Sequence, residues 1–247
     1  MELFFVPESH IDLTKNRIEL ADQEFHHIVR VVRKKSGDTL WITDGRGTCF
    51  QTEIEQIGKN SAELKILSQE KKPAPKTKIA VALSLMKASE RFDFFLEKAT
   101  ELGVAEILPM MTHRTVSRPA EKQYEKKHER WEKIVLAASK QSRQMWFPKL
   151  HPIQPFEEVL KRNDEVKLIA YENSAQHLVQ GFSGKSILFL IGGEGGFTEA
   201  EVLAAKQAGF QEMTLGESVL RAETAGIFAV AMVRANLLSA AIREPEG

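Results

Sequence analysis

From residue 79 onward, short apolar runs alternate with segments whose apolar residues recur every three or four positions. This alternation, more than any single motif, limits what the chain can fold into. "IAVALSL" (79–85), "EILPM" (106–110), "VKLIAY" (166–171), "SILFLI" (186–191) and "EMTLG" (212–216) read as strands. Between them, Phe92, Phe95, Leu96, Ala99 and Leu102 fall at helical spacing, and Gly103 ends that helix. A helix over 121–143 points Trp131, Ile134, Val135 and Ala138 inward. Its outer side interleaves lysines and arginines with glutamates, the pattern of a solvated, ion-paired face. "TEAEVLAAKQAG" opens with a capping box, Thr198 to Glu201, and "TAGIFAVAMVRANLLSAA" is apolar nearly all round. Strand and helix in turn predict a parallel α/β sheet covered on both faces.

The first 70 residues read differently. "LFFV", "RIEL", "TLWITDG", "CFQTEIEQIG" and "SAELKILSQ" are short strand patterns with turn residues between them. One helix interrupts them, opened by Asp22 as N-cap, with Phe25, Ile28, Val29 and Val32 on one face. The expected form is a small β-barrel. "EKKPAPKTK" (70–78) is a linker by composition, which divides the chain into domains 1–72 and 73–247.

Lys+Arg and Asp+Glu number 34 each, so net charge names no polyanionic partner, and any nucleic-acid reading rests on local patches. Cys49 is the single cysteine, which excludes an intramolecular disulfide and fits a reducing cytoplasm. The start, "MELFFVPESH", lacks a signal-peptide pattern, and no run approaches the ~18 apolar residues of a membrane span. The histidines show no metal-ligand spacing, so no metal is expected.

Two loops carry the chemistry. "IGGEGGFT" (191–198) sits at the end of a strand and opens a capped helix. Its glycines let backbone N–H groups approach a ligand, and the helix start favours negative charge. It misses the third glycine of the dinucleotide fingerprint and the Lys-Ser/Thr of a P-loop. "LGESVLRAETAG" (215–226) likewise follows a strand and packs Glu217, Arg221, Glu223 and Thr224 into one short stretch. Two polar loops at neighbouring strand ends look like two walls of one pocket.

These motifs resemble those of the RsmE family, SPOUT-superfamily 16S ribosomal RNA uridine-N3 methyltransferases. "IGGEGGF" is similar to its Gly-Pro-Glu-Gly-Gly motif and "LGESVLRAETA" to its Leu-Gly-x-x-Ile-Leu-Arg-x-Glu-Thr-Ala motif. "HHIVRVVR" (26–33), "KASERFDFFLEKATELGVAEILPMMTHRT" (87–115) and "KQSRQMWFP" (140–148) resemble three further family segments, in the family's order. Gly193 stands where the family usually has proline, and Ser218 where arginine is common.

The resemblance implies a PUA-like barrel followed by a SPOUT domain. A trefoil knot over about 166–240 would bind S-adenosylmethionine, and the chain would act as a homodimer. The implied cofactor contacts are Tyr171, Glu172, Leu190, Gly192, Gly193, Glu194, Gly195, Gly196, Leu215, Gly216, Val219, Leu220, Glu223, Thr224 and Ala225. Uridine N3 carries a proton and is a poor nucleophile until that proton leaves. Arg221 is the candidate to steady the uracil anion, with Glu223 or Glu194 accepting the proton. Candidate RNA contacts are His27, Arg30, Arg33, Lys87, Arg91, Arg114, Gln141 and Arg143. Lys87 and Arg91 stand at a helix start, a poor place for cations, which suggests an anionic partner. The 30S subunit is the expected substrate and the cytoplasm the expected location. Two alternatives stay open: a nucleotide-binding α/β oxidoreductase, and an RNA-binding protein without activity.

Overall fold

A computed structural model describes residues 2–116, 118, 120–176 and 181–243. His177, one of the scattered histidines, lies outside the described residues. The chain forms two compact units, Met1–Ala74 with Ser139–Phe147, and Pro75–Ala138 with Pro148–Gly247.

The first unit holds β1 (Leu3–Phe5), β2 (Ile11–Asp12), β3 (Arg17–Ala21), α1 (Asp22–Phe25), β4 (Thr39–Thr43), β5 (Thr48–Ile57) and β6 (Ser61–Lys71). The strands pair in the order β1-β4-β5-β6-β3-β2, antiparallel except for the parallel β1–β4 pair. Period-two alternation drives them. Ile18 and Leu20 of β3, and Ala62, Leu64 and Ile66 of β6, point into one core while Glu19, Glu63 and Lys65 point out. That core also takes Phe4, Phe25, Ile28, Leu40, Ile42, Phe50 and Ile54. Two register shifts in β5 bend the sheet around it. Among the described residues no ladder joins β1 to β2, so the hydrogen bonding of this curled sheet is open at that edge.

The interrupting helix differs from expectation. Asp22 has φ 51°, and no side-chain cap bond starts α1. Residues His26–Val31 wind as a π-helix. Phe25 and Ile28 stay buried, whereas Val31 is exposed. Arg33 lies beyond this turn at φ 62°, so the three-residue spacing of Arg30 and Arg33 does not define a shared helical face.

The turn at residues 44–47 between β4 and β5 has a second task. A Cβ on Gly47 would come within 2.5 Å of the Trp146 ring, and one on Gly45 within 2.8 Å of Phe147. Backbone bonds from Gly47 N to Met145 O (2.7 Å) and from Phe147 N to Gly45 O (2.9 Å) complete the junction. These bare glycines hold the segment Ser139–Phe147 in the first unit.

The second unit comprises β7 (Lys78–Ser84), α2 (Ser89–Glu101), β8 (Glu106–Met111), α3 (Tyr124–Gln141, whose last residues belong to the first unit), β9 (Lys149–Leu150), β10 (Gln154–Pro155), α4 (Phe156–Leu160), β11 (Val166–Ala170), β12 (Ser186–Ile191), α5 (Glu199–Gln207), β13 (Gln211–Met213) and α6 (Ala222–Arg243). All its strand pairs are parallel, in the order β10-β8-β7-β12-β11-β13, with β9 beside β8. The short β9, β10 and α4 went unread in the sequence, being too brief to show a period.

Alternate residues of β7 serve the two faces. Val81 and Leu83 pack with Phe92, Phe95, Leu96, Trp131, Val230 and Val233. Ala80 and Ala82 pack with Phe156, Val159, Val202, Ala205 and Phe210. Helices thus cover both faces, as the alternation predicted. The capping box is present: Thr198 Oγ1 accepts from Glu201 N, and Glu201 Oε2 accepts from Thr198 N.

Candidate functional site

Strands β12, β11 and β13 are neighbours, so the segments leaving their carboxyl ends converge. Tyr171 and Glu172 follow β11, Gly192–Gly196 follow β12, and Thr214–Leu220 follow β13. Together with Ala222 and Ala225 of α6 they line a cavity of about 260 Å³. Twelve of the expected cofactor contacts meet there: Tyr171, Glu172, Gly192, Gly193, Glu194, Gly195, Gly196, Leu215, Gly216, Val219, Leu220 and Ala225. Leu190 does not line it; its side chain is sealed in the core under α5. Glu223, Thr224 and Arg221 are not in the lining either. Ala170, Ile191, Thr214, Glu217, Ser218 and Ala222 are. Reading one residue further back along each strand would have found the first three.

The glycines are required by close approach. A Cβ on Gly192 would lie 2.9 Å from the Gly196 carbonyl carbon, because the loop folds back on itself through a Gly193–Gly196 bridge. Gly196 has φ 64°. Beneath the loop, Ser84, Thr112 and Thr115 form a buried cluster of hydroxyls, with Ser84 Oγ 2.9 Å from Thr115 Oγ1. A Cβ on Gly193 would come 3.2 Å from Ser84 Oγ. Arg114 braces the outer side: its guanidinium donates to Gly195 O (2.7 Å) and Phe197 O (3.2 Å). An expected RNA contact is therefore a strut of the loop.

The charged lining is one-signed. Among the described residues it contains Glu172, Glu194 and Glu217 and no lysine or arginine. The positive group beside it is Arg91, on the first turn of α2. Its guanidinium lies 3.5 Å from Glu194 Oε1 and 3.9 Å from Glu223 Oε1. Lys87 N donates to Glu194 Oε2 at 3.2 Å. The cation at a helix start, which suggested an anionic partner, is answered within the chain by two carboxylates. Arg221 is exposed, and its side chain makes no hydrogen bond or ion pair among the described residues. Among the described residues no group of three or more His, Cys, Asp or Glu side chains could hold a metal ion.

The first unit has its own recess, about 500 Å³, lined by Glu2, Leu3, Phe4, His27, Lys140, Gln141 and Arg143. It brings together His27, Gln141 and Arg143 from the expected RNA contacts. Lys140, which the sequence reading missed, joins them and pairs with Glu24. Arg30 and Arg33 are exposed and lie outside it.

Known proteins share this arrangement. The RNA methyltransferase domain family matches residues 72–234, and the RNA methyltransferase PUA domain family matches residues 20–67. Ribosomal RNA small subunit methyltransferase E of Rickettsia conorii is 32% identical, over 89% of this chain and 90% of its own. The Bacillus subtilis protein of the same name is 31% identical, over 90% and 94%. The crystal structure of that enzyme from Neisseria gonorrhoeae, bound to S-adenosyl methionine, superposes with a TM-score of 0.84 at 31% identity, covering 95% of this chain and 97% of its own. The chain belongs to the ribosomal RNA small subunit methyltransferase E (RsmE) family.

Proposed function

We propose that this protein transfers the methyl group of S-adenosylmethionine to N3 of a uridine in 16S ribosomal RNA, acting on the 30S subunit in the cytoplasm. The observation that carries the reading is the cavity: built of glycine backbone, walled by Ile191, Leu215 and Leu220, and charged only by carboxylates. S-adenosylmethionine brings a sulfonium and an ammonium, and both favour an acidic lining. The pyrophosphate of a dinucleotide would meet three carboxylates beside the glycine backbone and no cation to offset them, which disfavours the oxidoreductase alternative.

The fit extends to the parts of the ligand. Glu172 and Glu217 offer acceptors for hydroxyl and ammonium groups, and the apolar walls suit an adenine face. When bound, the cofactor supplies an activated methyl group. The chain's own residues orient it and prepare the nucleophile. The N3 proton must go to a carboxylate, Glu194 or Glu223, as the N3 lone pair takes the methyl carbon. Arg221, exposed at the start of α6, is free to meet the substrate and steady the uracil oxygens. N3 lies on the pairing edge, so the target base must be unpaired or flipped out. The recess of the first unit, with His27, Gln141 and Arg143, holds flanking RNA, and Arg30, Arg33 and Lys87 add phosphate contacts.

We assign the second unit to the SPOUT class, with a trefoil knot over about 166–240. The support is β12 lying between β7 and β11, with all three cavity loops beyond. A homodimer through α6 accounts for Phe228 and Leu238, which stay 43% and 60% exposed on an otherwise apolar helix. The test is methylation of 30S subunits lacking the modification, with mass mapping of the product. One methyl group at a uridine N3 is expected. Transfer to another base, or RNA retention without transfer, overturns the assignment.

A further inference from the structure

Among the groups around the cavity, Arg91 has the least obvious place and the most specific contacts. Glu194 is engaged at both oxygens: Oε1 faces Arg91 at 3.5 Å, and Oε2 accepts from Lys87 N at 3.2 Å. Glu223 is engaged at one. Its Oε1 lies 3.9 Å from Arg91 Nε, while Oε2 is buried and has no hydrogen-bond partner. The Glu223 side chain is only 8% exposed. A buried carboxylate oxygen without a donor is unfavourable, and such an atom needs an explanation. The first turn of α6 is in place without it, since Ala225 N reaches Arg221 O at 2.8 Å.

We infer that Arg91 is a positioning residue which registers Glu223 against the glycine loop, and that the Glu223 carboxylate is the acceptor of the substrate proton. Glu194 is then the anchor of the arrangement. This rests on the functional reading above and divides the roles of the two carboxylates that it leaves open. In the step itself, the N3–H bond breaks toward Glu223, the N3 lone pair forms the new N–CH₃ bond, and the C–S bond electrons return to sulfur. No other reactant is needed.

The arrangement separates binding from chemistry. Arg91 does not line the cavity. The backbone of the glycine loop is held by other groups, namely Arg114, the Gly193–Gly196 bridge and the Ser84 hydroxyl cluster. Removing Arg91 therefore leaves the loop backbone standing and Glu194 still held by Lys87 N, and it releases Glu223.

The experiment measures S-adenosylmethionine affinity by calorimetry and single-turnover methylation of unmodified 30S subunits. The variants are Arg91→Met, Arg91→Lys, Glu194→Gln and Glu223→Gln. Arg91→Met and Glu223→Gln should each lower the methyl-transfer rate by about 100-fold, with cofactor affinity within about threefold of wild type. Arg91→Lys should recover part of the rate, Glu194→Gln should cost less than Glu223→Gln, and Arg91→Met/Glu223→Gln should be no worse than either single change. Pairing Arg91→Met with Glu223→Gln also removes the unpaired buried charge, so a misfolded Arg91→Met protein leaves the comparison intact. Rates near wild type in Arg91→Met, affinity falling in step with rate, or a larger loss in Glu194→Gln would overturn the inference alone. A wild-type protein that binds no S-adenosylmethionine would overturn the functional reading itself.

Discussion

The cavity beyond β11, β12 and β13 is made of backbone, small side chains and three carboxylates, whereas the recess of the first unit sets Lys140, Gln141, Arg143 and His27 beside Glu2, Leu3 and Phe4. The first suits a small cationic ligand that must be gripped closely on several sides. Glycine permits that approach, and acidic side chains match the charge. The second suits a polyanion met along its length, where long flexible cations serve better than shape. On the proposed reading, one chain thus keeps two electrostatic tasks in separate units, and a net charge of zero conceals both.

The largest expected effect breaks the cavity and spares the recess. In Gly192→Val the new side chain meets the Gly196 backbone, which cannot swing aside as a side chain could. S-adenosylmethionine affinity, read by calorimetry, should fall by at least about 100-fold while RNA binding persists. Gly47→Val strikes the other unit. Its Cβ meets the Trp146 ring, and the native φ of 97° is hostile to a branched residue. Chemical denaturation should show a loss of about 1–3 kcal/mol, with cofactor affinity retained in the folded protein.

A smaller change sharpens the charge contrast. Arg143→Glu should weaken RNA binding about tenfold near physiological salt and flatten its salt dependence by one to two charges. Calorimetry should find cofactor affinity unchanged. Equal damage to both ligands would mean that the two sites are not separate.

The smallest effect concerns a carboxylate outside both sites. Glu106 accepts from His151 Nε2 at 2.6 Å and from Arg162 at 2.9 Å, and these bonds hold its pKa down at about 2 against burial. Because the folded value lies below the ordinary 4.5, the stabilisation is present above that value and drains as pH falls toward 2. Urea unfolding should find Glu106→Gln less stable by roughly 1–2 kcal/mol at neutral pH, with the gap narrowing near pH ~3.

How much of this was legible depended on how local the signal was. The β7 and β12 runs, the α2 spacing and the Thr198–Glu201 box are each written within a few residues, and each stands as read. How the edges of the first sheet lie was not legible, because whether β1 pairs with β2 is not a property of either strand. The π turn at His26–Val31 was invisible, since its apolar residues also fit an ordinary helix. Within the site, the glycine loops declared themselves through composition. The intrachain partners of Arg114 and Arg91 could not be read, because surface cations look alike until the fold brings their partners to them.

By itself the sequence determined the two classes of architecture, the glycine-built turns and the family, since periodicity, glycine content and ordered motifs are properties of the chain. Only the tertiary structure decided which charges meet. Glu194 lies 107 residues from the Lys87 amide that it accepts from, and the same carboxylate faces Arg91. Electrostatic interactions act over a few ångströms in space, and no pattern along the chain specifies those distances before the sheet has brought its strand ends together.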